Sequence, residues 1–176
     1  MDFSKFNITK ILLSFVLTLG VLLAGWLVYQ ELGIIKPVRK DIMAIAGVRR
    51  AEVDATAGKL SITVDLGEVE RIQPFYQEIK EVLPEAALNS LTFSDHRNAY
   101  LTGLWLRHRF ALEEAAVNGN FTAMRQLIQD DLSGEDIDYW FLEIDGENLY
   151  FQIHDDGYYL YAVVPRLDIT RGTEKR

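Results

Sequence analysis

The sequence has no cysteine, which excludes disulfides, thiolate metal sites and a cysteine nucleophile. It has only three histidines, His96, His108 and His154, and their spacing fits no two-histidine metal site. It also lacks a glycine-rich phosphate loop, a dinucleotide fingerprint and a nucleophile elbow. These absences leave few catalytic arrangements open, and we expect no cofactor.

Positive charge is scarce beyond the first 50 residues. Residues 51–170 carry eight Lys/Arg against 22 Asp/Glu, a net charge of −14, whereas residues 31–50 carry five against two, a net charge of +3. A domain this acidic repels phosphate backbones, so nucleic-acid binding is not expected. The 176 residues, 49% of them hydrophobic, suffice for a membrane segment and one domain or two small ones.

One long apolar run is present at residues 11–29, ILLSFVLTLGVLLAGWLVY. It carries no charge, and at about 1.5 Å per residue it just spans a hydrocarbon core of about 30 Å. A cleaved signal peptide would have a shorter apolar run and an Ala-x-Ala-like site. We therefore predict an uncleaved membrane anchor at 11–30 that binds the lipid bilayer, after an N-terminal tail at 1–10.

Two charge signals disagree about the side of the membrane on which the rest of the chain lies. The Lys/Arg excess after the apolar run, taken alone, favours a cytoplasmic domain. However, a short tail that carries Lys5 and Lys10 usually stays inside, and long domains cross largely regardless of their charge. We give the second signal more weight and expect an extracytoplasmic domain.

Hydrophobic spacing over residues 36–95 predicts an αββαβ unit. Pro37 suits the first turn of a short helix, and Gly47 ends that helix. The predicted elements are a helix with Val38, Ile42 and Ile45 on one face, strands at 51–55 and 60–66, a turn at 56–59, a helix from Val69 to Val82 that Pro84 ends, and a short strand at Leu91 and Phe93.

Part of this unit resembles small αββαβ modules of the bacterial envelope. The phrases are Ile45-Ala46-Gly47-Val48, Ala51-Glu52-Val53-Asp54 and Gly58-Lys59-Leu60. BON domains and the ring-building modules of secretion machines share this order of elements, and heavy-metal-associated domains have a similar Gly-Val-to-strand phrase. The Cys-x-x-Cys of the metal-binding modules is absent. The resemblance therefore implies membrane association or oligomeric assembly, without a residue-level site.

Residues 96–169 predict two helices followed by a three-stranded antiparallel meander, before a disordered tail at 170–176. The first helix, 98–117, has a main apolar stripe and a second patch of Leu106, Phe110 and Val117, so we expect it to be packed on both sides. The second helix is capped by Asn120 and is expected to bury Phe121, Met124, Leu127 and Ile128. The chain is thus predicted to be α+β, and its two units either share one core or form separate domains.

The sequence ENLYFQ at residues 147–152 resembles the recognition site of the tobacco etch virus protease, a common engineered tag. Its neighbours indicate a native strand instead. The turn dipeptides Asp145-Gly146 and Asp156-Gly157 bracket a run in which apolar and polar residues alternate, and Ile153 continues that alternation. We predict that this run is the middle strand of the meander.

Aromatic residues are concentrated in the predicted meander. One of its faces carries Phe141, Tyr150, Tyr159 and Tyr161, which would form a recognition surface if nothing covers them. In the alternative interpretation, the first helix of the second unit or the αββαβ unit covers this face.

Other polar residues suggest less specific chemistry. Asp95-His96 could act as an acid–base pair, although helix-start polarity explains it as well. His108 lies inside an apolar stripe, as a core histidine or a pH-sensitive one, and His154 at a strand end is expected to be solvated. Asp136 and Asp138 give only a fragment of a calcium-loop pattern, and a solvated acidic loop is the simpler interpretation.

These observations favour a single-pass, membrane-anchored, non-catalytic binding or assembly protein of the bacterial cell envelope, with a protein partner or a second copy of itself. The alternative is a membrane-anchored ligand-sensing domain that uses the aromatic face or the acidic loop. An enzyme would rest on Asp95-His96 alone.

Overall fold

The structure is a computed structural model that describes residues 8–56, 59–83 and 90–167. It is α+β with two three-stranded sheets, as predicted. The turn at Ala57-Gly58, Pro84 and the tail predicted at 170–176 lie outside the described residues. The elements are α1 (Ile8–Gln30), α2 (Lys36–Met43), β1 (Arg50–Thr56), β2 (Lys59–Asp65), α3 (Gln73–Val82), β3 (Leu91–Ser94), α4 (Ala99–Asn118), α5 (Phe121–Leu132), β4 (Tyr139–Ile144), β5 (Asn148–Asp155) and β6 (Tyr158–Pro165).

The apolar run and the first predicted helix form one continuous helix. A π-helical turn, Glu31–Ile35, joins α1 to α2, and within it the N–H of Lys36 bonds to the carbonyl of Glu31. The short helix predicted here is α2, with Pro37 in its first turn as predicted, but it continues α1 and ends at Met43, before Ile45. Because proline has no N–H and clashes with the carbonyl four residues earlier, a widened turn directly before it lets the helix continue.

By length and composition this helix can cross a membrane, and its most apolar window has no residue buried against the rest of the protein. Its last turns are different. Ile42 is fully buried, and Ile45, just after α2, is nearly so. The helix therefore passes directly from an uncovered apolar segment into the core of the first unit.

In the first sheet, β2 is central, with β1 antiparallel and β3 parallel to it. The alternation of Ile62, Val64 and Leu66 predicted β2 correctly, and these side chains are buried. The helix predicted from Val69 to Val82 corresponds to α3, and it begins at Gln73 rather than at Val69. Residues 66–72 instead form a connection, the β2–α3 loop, whose backbone groups bond to the second sheet.

The helices α4 and α5 form an antiparallel pair. Asn98 caps α4 by accepting the N–H of Leu101 at 2.8 Å, and Gly119 ends it in the left-handed conformation with φ of 74°. In α5 the buried side chains are Met124, Ile128 and Leu132, four residues apart. Two expectations are wrong here, because Leu127 is exposed beside this line and the side chain of Asn120 makes no capping bond.

The second sheet is the predicted meander, in the order β4-β5-β6. Asp156 and Gly157 both have positive φ, as a two-residue type I′ hairpin turn requires. Seven consecutive residues of β5, from Asn148 to His154, are buried, so both faces of this strand are covered. Residues 148–152 of the tag-like sequence are therefore native sheet, with Glu147 in the preceding turn.

Two buried clusters lie on opposite faces of the meander. Leu149, Phe151 and Ile153 point into the cluster formed with α4 and α5. Tyr150 and Tyr161 belong to the other cluster, with side chains of α2, α3 and the first sheet. An antiparallel bridge between His96 and Tyr159 connects the edges of the two sheets.

Candidate functional site

The predicted aromatic recognition face is mostly covered. Tyr150 and Tyr161 are buried under the αββαβ unit, while Phe141 and Tyr159 are half-buried. Of the two interpretations of this face, the structure supports the one in which the αββαβ unit covers it. The four rings therefore form no continuous exposed surface, and they contribute to the packing between the two units.

The centre of this covered face is polar. The side-chain oxygen of Gln152 accepts the N–H of Ile72 at 2.9 Å, and its nitrogen donates to the carbonyl of Glu70 at 2.6 Å. The same nitrogen lies 3.0 Å from Nε2 of His154. Because the amide nitrogen donates, Nε2 of His154 accepts, and its Nδ1 carries the proton toward Glu68 at 3.4 Å.

Tyr161 adds a second polar contact between the units. Its hydroxyl accepts the N–H of Val69 at 2.8 Å and donates to the carbonyl of Gly67 at 2.9 Å. Burial raises the pKa of Tyr161, so the hydroxyl keeps the proton that it donates. We call Gln152, His154 and Tyr161, with the β2–α3 loop that they hold, the interface latch.

His154 is buried, and the expectation that it is solvated is wrong. Its ring stacks on Tyr139 with 4.2 Å between centroids. Burial lowers the pKa of His154, and Glu68 only partly opposes this effect. The docking of the β2–α3 loop, not the position of His154 in its strand, determines this environment.

His108 is also fully buried, on α4 against Phe151. Within the described residues neither ring nitrogen makes a hydrogen bond; Nε2 lies 3.1 Å from a carboxylate oxygen of Asp131 but is not aligned for one. Burial lowers the pKa of His108. Asp131 and Glu135 on the α5 side oppose this shift, whereas Arg107 adds to it.

The other predicted polar sites have structural partners. Asp138 accepts the N–H of Asp156 and so supports the β5–β6 turn. The carboxylate of Asp95 binds Arg97 and the N–H of Tyr161. His96, next to Asp95, is exposed and stacks on Tyr158. Within residues 8–56, 59–83 and 90–167 no group of three or more potential metal ligands comes together, at Asp136 and Asp138 or elsewhere.

Two surface features stand out beside these residues. The first is a groove of about 370 Å³ lined by the edges of β3 and β6 and by α4. Phe93 and Val163 line it, and Arg97, Arg109 and Glu113 contribute charges to it.

The second feature is the outer face of α4. Phe110 is 78% exposed, Leu106 57% and Val117 44%. Leu127 on α5 is 54% exposed. It lies one turn before Asp131, which binds Arg107. We call Leu106, Phe110 and Val117 the α4 stripe. It was predicted to be packed, but nothing in the described part of the chain covers it.

A scan against protein-family models and searches of the curated proteins and of the solved structures find no match to this chain.

The sequence signalled some of these features and missed others. The α4 stripe was visible as a second apolar patch. The latch was missed, although one sign of it was a glutamine between Tyr150 and His154 on a core-facing side of β5. Its partners lie 80 or more residues away in sequence, and periodicity carries no information about them.

The hydroxyl of Tyr161 can be tested by Tyr161→Phe, which leaves the N–H of Val69 and the carbonyl of Gly67 without that partner. We expect a loss of about 1–3 kcal/mol in the free energy of unfolding, measured by denaturant titration of the full chain in mild detergent. Tyr158→Phe is the matched control, since that hydroxyl has no hydrogen bond among the described residues. Equal losses in the two variants would contradict a special role for Tyr161.

The burial of His108 predicts a pH dependence. Its pKa is lower in the folded state than the unfolded value near 6.5, so the unfolded state binds more protons as the pH falls through that value. The stability that neutral His108 provides is therefore present above pH 6.5 and is lost on acidification. His108→Gln should lose less stability between pH 7 and pH 5 than the parent, while His154 still contributes a loss of the same sign.

Denaturant titration at each pH gives the comparison. Identical profiles for the parent and His108→Gln would show that His108 is not buried in its neutral form.

Proposed function

We propose that this chain is a single-pass membrane protein of the bacterial cell envelope whose folded part lies outside the cytoplasm and acts in binding or assembly without catalysis. The observation that carries this proposal is the continuous helix from α1 to α2. Its most apolar window has no residue buried against the described part of the protein, and Ile42 in its last turn is buried in the first unit. Such a helix ties the folded part to the membrane without a flexible linker.

The α4 stripe supports the binding role. A phenylalanine exposed to 78%, with exposed leucines nearby, is costly in water unless a partner covers it. The Asp95-His96 pair, on which an enzyme would rest, gives catalysis little support, because the carboxylate of Asp95 binds Arg97 and the N–H of Tyr161. The weak resemblance to envelope assembly modules is in accord with the proposal.

The alternative is a ligand-sensing domain. The aromatic face and the acidic loop give it little support, because the first is mostly covered and Asp138 supports a turn. The groove between β3, β6 and α4 favours it, since it has apolar walls and both signs of charge. Retention of a small molecule by the purified chain, lost on Phe93→Trp, would support sensing over assembly.

We also propose that the αββαβ unit and the αα-meander unit fold together. Three contacts favour this: the interface latch, the ion pair between Arg71 and Glu143, and the ion pair between Lys80 and Glu147. The two ion pairs are at the surface and contribute little. The buried latch contributes most, because undocking would leave its polar groups unpaired.

The topology can be tested with single cysteines, because the chain has none of its own. We expect a membrane-impermeant thiol reagent to label Ser133→Cys, at an exposed site after α5, in intact cells whose outer layers are permeabilised. Ser4→Cys in the N-terminal tail is the matched control and should be labelled only after the inner membrane is lysed. The reverse pattern would place the folded part in the cytoplasm, and labelling of both sites without lysis would contradict a single membrane-spanning segment between them.

A further inference from the structure

The charges along both edges of the α4 stripe change sign at its middle. Arg107 and Arg109 lie in the N-terminal half, and Glu113 and Glu114 in the C-terminal half. At 100° per residue, Arg107 and Glu114 fall on one edge of the stripe, and Arg109 and Glu113 fall on the other. Each edge thus has a basic end and an acidic end.

This arrangement is complementary to itself when a second α4 runs antiparallel. Opposite charges then meet on both edges, Arg107 facing the partner's Glu114 and Arg109 facing the partner's Glu113. The apolar residues match in the same register, with Leu106 facing the partner's Val117. Along the helix, each of the three pairs is centred near position 111. A single twofold axis at the level of Ala111 therefore relates the two residues of every pair. A parallel pair would place like charges side by side.

From this match we infer that the α4 stripe is the contact surface of a homodimer, in which two copies of the chain pair their α4 helices antiparallel about an axis near Ala111. Phe110 lies next to the axis and meets the partner's Phe110. Arg107 is held at the edge by Asp131 and Glu135 of its own chain, and Arg109 is held by Glu113. Both guanidinium groups are therefore positioned before the copies meet.

This inference rests on the proposed membrane attachment, because one helix face is small compared with the roughly 800 Å² per partner of a stable interface. Attachment of both copies to one membrane raises their effective concentration and compensates for a small contact. The twofold axis must then follow the membrane normal, so that both anchors enter the same bilayer, and α4 lies parallel to the membrane surface.

The register can be tested in full-length chains in native membranes with a short bis-maleimide crosslinker. Phe110→Cys should link to itself, because the two copies of residue 110 lie about 3 Å apart along the helix direction. Val117→Cys should not, since its copies lie about 18 Å apart by the same rise per residue. Co-expressed Leu106→Cys and Val117→Cys should link to each other. Ser61→Cys, exposed on β2, is the control and should give no dimer.

A charge exchange tests the same surface in the chain that carries Phe110→Cys. Arg109→Glu and Glu113→Arg should each lose most of the dimer product, because each places like charges opposite one another. The double exchange should restore the product, and so should co-expression of the two single variants. Arg50→Glu, which alters an exposed ion pair on β1, is the control and should leave the yield unchanged.

Several results would overturn the inference. Self-linking of Val117→Cys would indicate a parallel pair. The inference would also fail if Phe110→Cys did not link to itself, or if the double exchange did not restore the lost product. Crosslinking of Phe110→Cys to a different protein, or its labelling by a lipid-borne reagent without a dimer, would assign the stripe to another occupant. The proposed membrane attachment is judged separately by the Ser133→Cys and Ser4→Cys labelling.

Discussion

The relation between the two halves of this protein depends on a buried amide. The side chain of Gln152 lies in the central strand of the meander, where water cannot reach it, and it has to form its hydrogen bonds within the protein. The N–H of Ile72 and the carbonyl of Glu70 provide them. Because this pairing requires the β2–α3 loop in one position, it fixes how the first unit lies on the second sheet.

That fixed arrangement carries the proposed function. The first unit buries Ile42 at the end of the long apolar helix, and the second unit has α4 on its far side, where no described residue covers the stripe. If the units undocked, the stripe would move freely with respect to the membrane. With the latch closed, the long apolar helix and the stripe belong to one body, and the proposed antiparallel contact between two attached copies would have a defined geometry.

Local patterns predicted the elements whose side chains alternate strictly, such as β2 and the 148–155 strand. In β2 the alternation follows from burial of one face. In the 148–155 strand both faces are buried, and the alternation separates the apolar side chains packed on α4 and α5 from Tyr150, Gln152 and His154 under the first unit. The start of α3 was missed for a different reason. The amides of Val69 and Ile72 bond to Tyr161 and Gln152, more than 75 residues away, so helical spacing did not reveal the loop. The predicted exposure of His154 was wrong for the same reason, because the β2–α3 loop that covers it is distant in sequence. Contacts between residues distant in sequence determine what covers this face of the meander, and local spacing carries no information about such contacts.

The most direct measurement is native-state hydrogen exchange of the full chain in detergent micelles or nanodiscs, comparing the amides of Val69 and Ile72 with that of Phe151 in β5. If the two units fold as one body through the latch, these three amides exchange only by global unfolding and report the same free energy of opening. Exchange of the Val69 and Ile72 amides at a clearly lower free energy, while Phe151 stays protected, would contradict this and show that the units undock while the second remains folded.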